Sequence, residues 1–222
     1  MKKLLFTACA FFAYASILPA QSLYWDSNGS TAGAGTSPAG TWGSDLFWNE
    51  IPDGTGTPGA WTSGSTAVFS AGTDATGSYI VTVSGNQTVG KIVVEEGTPA
   101  FKGGTLTLNG EATIQVASGR TTAFDTTVLA GSAGLSKTGA GTLVISNITH
   151  TFTGGITVKE GVLQTGGNGA ANFGNAANTI TMDGGELRTT LTRTTVNPLV
   201  ILKDTTFSKD SGGTARTVTF TN

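Results

Sequence analysis

The sequence predicts an all-β fold, a parallel β-helix of stacked coils, on three observations. The first is a recurring apolar-x-apolar triplet, usually followed by a glycine turn. It occurs at Val81-Thr82-Val83, Ile92-Val93-Val94, Leu106-Thr107-Leu108, Leu143-Val144-Ile145, Ile156-Thr157-Val158, Ile180-Thr181-Met182 and Val218-Thr219-Phe220. In a strand the first and third side chains share one face and the middle one, often Thr, faces the other. The second is internal repetition: residues 156–165 and 180–189, an offset of 24, are identical at half of their ten positions. The third is the lack of apolar spacing at i, i+3, i+4 and i+7 after the leader, which predicts no helix there.

Magnitudes favour stacking over isolated hairpins. Burying two aliphatic side chains stabilises by about 3–6 kcal/mol, whereas ordering five or six residues costs about 5–12 kcal/mol. One unit cannot hold itself, so it must share backbone bonds and apolar faces with copies above and below. Glycines such as Gly85, Gly97, Gly110, Gly161 and Gly185 supply the left-handed backbone that turns each corner. The alternative is a β-sandwich with two-residue hairpin loops, for which Asn109-Gly110 and Asp183-Gly184 are the candidates.

The chain begins with Lys2 and Lys3, an apolar run from Leu4 to Leu18, and Pro19-Ala20 before polar Gln21. This is the layout of a secretory signal peptide over residues 1–20. The run is shorter than the ~20 residues of a membrane span. Export would remove Cys9, the only cysteine, so the mature chain would hold no disulfide. Loss of Lys2 and Lys3 leaves ten basic against fourteen acidic residues, a net charge of −4. That balance offers no electrostatic footprint for nucleic acid, and no later segment has the length and apolarity of a membrane span. Thirty-three glycines and 12% charged residues, with 38% hydrophobic, fit a strand-rich chain made soluble by Thr, Ser and Asn.

Composition divides the chain at about residue 72. Residues 21–72 are rich in Gly, Ser, Thr and Pro and hold all four tryptophans, Trp25, Trp42, Trp48 and Trp61. They are expected to cap the end of the β-helix over residues 73–222, because a bare strand edge invites aggregation. A second reading makes Trp25 and Trp48 glycan contacts, the indoles stacking on sugar rings beside Asp26 and Asn49.

Residues 129–167 carry an ordered set of motifs. These are Gly134-Leu135-Ser136-Lys137-Thr138-Gly139-Ala140-Gly141-Thr142-Leu143, then Thr151-Phe152-Thr153-Gly154-Gly155, then Gly161-Val162-Leu163-Gln164. The set resembles the autotransporter-associated β-strand repeat, also called the passenger-associated transport repeat. The resemblance implies a single-stranded, right-handed parallel β-helix in an exported surface passenger, with a repeat that assists export. The partners implied are the secretion machinery and surface glycans or other cell-envelope components. Within this unit Gly139 and Gly141 are expected to turn the coil. Leu143, Ile145, Ile156, Val158 and Leu163 are expected to point inward. Only one full copy is present, and neither a translocator barrel nor an anchor is recognised after it.

Candidate chemistry is sparse. His150 is the only histidine, so neither a zinc set nor a His-dependent triad has its partners. It is expected as an exposed residue of the Asn147–Thr153 turn. Lys137 is expected to face solvent beside its turn. Many β-helices are polysaccharide lyases or hydrolases, but Glu95-Glu96 and Asp183 with Glu186 form no recognisable catalytic pair and are expected at solvated corners. Residues 166–174 have glycines without the aspartate of a calcium nonapeptide. The glycine-rich stretch 29–40 lacks the Lys-Ser/Thr and the helix of a phosphate loop. No cofactor, catalytic residue or metal ligand is expected. The sequence therefore favours a non-enzymatic structural solenoid, with a carbohydrate-binding adhesin and a polysaccharide-cleaving enzyme as alternatives.

Overall fold

A computed structural model describes residues 20–146, 149–166, 172–210 and 215–221. The expected leader lies outside them except for Ala20, as does part of the 166–174 stretch. Among the described residues there is no helix, and the chain winds as a β-solenoid.

Two long sheets run the length of the stack. One is ten-stranded and contains Ser22–Trp25, Thr66–Phe69, Asn86–Val94, Thr105–Val116, Leu135–Thr138, Ile156–Val158, Ile180–Met182 and Leu199–Ile201 in spatial order. The other is eight-stranded, running from Gly40–Trp42 to Thr206–Lys209. The chain alternates between them, so each coil contributes one strand to each, and successive coils pair in parallel. The strands Asn86–Val94 and Thr105–Val116 are long because they round a corner. Their first halves pair with each other, and the second of them pairs with Val128–Ala130, which makes a third face. Thr151 N–H donates to Leu129 O and Thr153 N–H to Gly131 O, continuing that face one coil further.

The hairpin candidates are corners instead. Gly110 has φ +62° inside the strand Thr105–Val116, whose two halves pair in parallel with neighbours above and below. Asp183-Gly184 carries the chain from Ile180–Met182 in the first sheet to Glu186–Thr189 in the second. Parallel pairing on both sides rules out a hairpin at either place.

Inward residues form columns. Ile92, Ile114, Lys137, Val158 and Met182 sit in register up one column. Ala112, Leu135, Ile156 and Ile180 form the next. On the facing sheet Val81, Phe101, Phe124 and Ile145 are aligned, with Phe101 and Phe124 stacked at 4.8 Å. Leu143 lies over Thr122 and under Leu163 and Leu187. The expected triplets are thereby confirmed as two-sided ribbons with their first and third residues inside, most loosely at Val218–Phe220, where both are only part-buried.

Residues 21–72 are built into the solenoid rather than set on it. Ser22–Trp25 and Gly40–Trp42 pair in parallel with Thr66–Phe69 and Ser78–Val83. Beyond them Trp48–Asn49 pairs antiparallel with Ser22–Trp25, which closes that sheet edge. Asp74 reaches back to accept from the Ala34 and Gly35 amides at 2.8 and 3.0 Å, tying the excursion down.

Candidate functional site

The repeat signature occupies two consecutive coils. Leu135–Thr138 pairs with Ile156–Val158 in the first sheet and Thr142–Ser146 with Val162–Gly166 in the second. Leu135, Leu143, Ile145, Ile156, Val158 and Leu163 are all buried.

The glycines serve two separate needs. Gly139, Gly155 and Gly161 have left-handed φ of +71°, +79° and +67° and turn corners. Gly134, Gly141 and Gly154 do not; they are glycine because backbone passes too close for a side chain. A Cβ on Gly141 would stand 2.2 Å from Ala117 O, and one on Gly154 would stand 2.1 Å from Gly134 N. The expectation that Gly141 turns the coil is therefore corrected: its role is close approach between stacked corners.

Lys137 departs furthest from expectation. It is fully buried, in the core column between Ile114 and Val158. Strand alternation puts position 137 on the same inward face as Leu135, so its stem has no route to solvent. Its Nζ donates to Thr138 O at 2.9 Å, Gly139 O at 2.6 Å and Glu160 O at 3.0 Å. Burial pushes its pKa down to about 8, against the opposing pull of the Glu160 carboxylate.

His150 is also inside, 1% exposed, where a turn position was expected to leave it in solvent. Its Nδ1 accepts the Leu129 amide at 3.1 Å, standing in for a strand carbonyl on the third face. Burial lowers its pKa to about 4, so it is neutral at ordinary pH.

Trp25 and Trp48, the candidate glycan contacts, are 0% and 1% exposed, so neither presents a ring face to solvent. They lie side by side in the antiparallel pair, ring centroids 5.1 Å apart, with Trp42 5.0 Å from Trp48. The polar neighbours that suggested sugar binding bond to each other: Asn49 Nδ2 donates to Asp26 Oδ2 at 2.8 Å. The aromatic cluster plugs the core.

Elsewhere the acidic candidates are engaged locally. Asp183 meets Lys203 at 2.7 Å, and Glu186 accepts from Arg188 and Ser208. Glu96 accepts the Ala75 amide. Among the described residues no group of three or more His, Cys, Asp or Glu gathers to hold a metal. A shallow cleft of about 230 Å³ runs beside the repeat, lined by Gly134, Ser136, Gly154, Gly155, Thr157 and Lys159 among others.

Sequence reasoning missed the corner asparagines. Asn178 Nδ2 donates to Phe152 O and Phe173 O, and Asn197 Nδ2 donates to Asn175 O and Asn178 O, joining successive layers. A signal existed: each stands two residues before the inward residue that opens its strand, Ile180 or Leu199.

Fold and signature together define a parallel β-solenoid whose motif-bearing segment spans two coils in register. Residues 135–164 match the family model of the Passenger-associated-transport-repeat, so the chain is a protein carrying that repeat. It is similar to the Adhesin BmaC autotransporter of Brucella suis biovar 1 (strain 1330), 40% identical over 173 residues, covering 75% of this chain. The chain spans about 5% of the length of that relative. No solved structure matches it.

Proposed function

We propose that this chain is a rigid segment of an exported surface passenger, and that its repeat assists outward movement of the passenger. The carrying observation is that the repeat closes as two coils in register, Leu135 on Ile156 and Leu143 on Leu163. Folding of such stacked coils outside the cell biases the chain against sliding back. The likeness to an autotransporter adhesin supports the cell-surface location, and with it the leader expected at residues 1–20 and a role for the secretion machinery. The test is surface display: cells producing the passenger with residues 134–164 deleted should show less protease-accessible protein at equal synthesis. Equal display would overturn the export role.

Adhesion is the second reading, favoured by the name of that relative. If surface glycans are the ligand, the contacts are not Trp25 or Trp48, which are enclosed. Binding of the purified chain to glycan arrays and to host-matrix coatings tests it, and no binding above an unrelated β-protein would remove it.

A further inference from the structure

Lys137 is the one charged residue among the described residues of its core column. Its register partners through the stack are Ile92, Ile114, Val158 and Met182. Its stem packs like theirs. Its ammonium has three protons, and each is donated to a main-chain carbonyl. Two acceptors, Thr138 O and Gly139 O, belong to its own corner, while the third, Glu160 O, belongs to the corner of the following coil.

The corners that carry these carbonyls have no room for a side chain at Gly139 or Gly161. A Cβ on Gly139 would stand 2.4 Å from Val116 O, and one on Gly161 would stand 2.4 Å from Gly139 O. We propose that Lys137 is an interlayer clamp that makes the two coils of the repeat, 135–146 and 156–166, close as one cooperative unit. Without the second coil Lys137 loses Val158 above its stem and its ammonium lacks one protein acceptor. A buried charge with an unmet proton is costly, so the first coil gains little from closing before the second. Columns filled only with aliphatic residues add stability coil by coil and impose no such condition. The clamp holds whether or not the repeat assists export.

Hydrogen exchange of the purified chain, read by mass spectrometry, tests the proposal. In the wild type, amides of 135–138 and 156–158 should open together and lose protection at the same denaturant concentration. In Lys137→Met, which keeps the stem, exchange in both segments should rise about 10- to 100-fold, the range for lost charge-assisted hydrogen bonds. The two should then open at separate denaturant concentrations. Leu135→Ala, a packing loss on the same strand, should raise exchange yet keep the two segments opening together. Unchanged exchange at 156–158 in Lys137→Met, or separate opening in the wild type, would overturn the clamp. Separate opening in the wild type overturns the clamp even if the variant fails to fold.

Discussion

At the scale of single residues, the two buried titratable groups of the repeat region, His150 and Lys137, both make stability rise with pH, over different windows. His150 has its pKa lowered to about 4 in the fold, against 6.5 free. Between those values the unfolded chain takes a proton that the folded chain refuses. Stability is therefore full above pH 6.5 and declines as pH falls toward 4, by about 3 kcal/mol in total. Protonation at Nδ1 would also abolish the bond from the Leu129 amide. Urea unfolding of His150→Gln should show a shallower decline over that window than the wild type; parallel profiles would contradict it. Lys137, lowered to about 8, acts at the other end. The unfolded lysine keeps its proton up to about 10.5, so the wild type should gain stability between pH 8 and 10.5 while Lys137→Met does not. Neither burial was expected from the sequence. A lone histidine in a turn and a lysine beside Gly-Ala-Gly read as solvated, because alternation was counted over apolar triplets and Leu135-Ser136-Lys137 is not one. Counting inward positions by register from Leu135 would have found Lys137.

At the scale of an element, the coil corner sets what the sequence must supply. Gly154 and Gly110 differ in kind: the first has no room for a Cβ, the second has open space around it but φ +62°. Gly110→Ala should lose about 1 kcal/mol from backbone strain alone. Gly154→Ala pushes a methyl group into the Gly134 backbone and should lose more, about 2–4 kcal/mol, the range of overpacking and strain combined. Thermal melts of the two variants rank these costs, and equal losses would show that the corners relax freely. The asparagine corners follow the same logic from the polar side. Asn178→Ala removes the donor to Phe173 O and to Phe152 O, of which Phe152 O keeps the Asn175 amide, and should cost about 1–3 kcal/mol, read by the same melts. Strand identity and inward face were readable from triplets. The reason for each glycine was not, because close approach depends on the coil below.

At the scale of the whole molecule, the columns explain an exposed patch. Ile201 stands in register above Met182 and Phe207 above Leu187, so both are core positions, yet they are 54% and 49% exposed. No described strand covers the far edge of Leu199–Ile201 or Thr206–Lys209. The purified chain should therefore self-associate with rising concentration. Ile201→Lys with Phe207→Lys should suppress that association, followed by light scattering, with little loss of melting temperature because neither side chain is enclosed. Unchanged association in the double variant would place the sticky surface elsewhere. At the opposite end the tryptophan cluster fills the core, and the antiparallel strand Trp48–Asn49 covers the edge of the first sheet.

The sequence by itself determined the strands, their two faces, the stacking and the repeat, because alternation and a period near the length of one coil are local properties of the chain. Tertiary structure decided what meets what between layers: that Asp26 and Asn49 bond to each other beside Trp25 and Trp48, that Gly141 is there for clearance, that Lys137 reaches Glu160 O, and that His150 takes the Leu129 amide. Those outcomes depend on groups about 20 residues or more away, brought together only when one coil settles on the next.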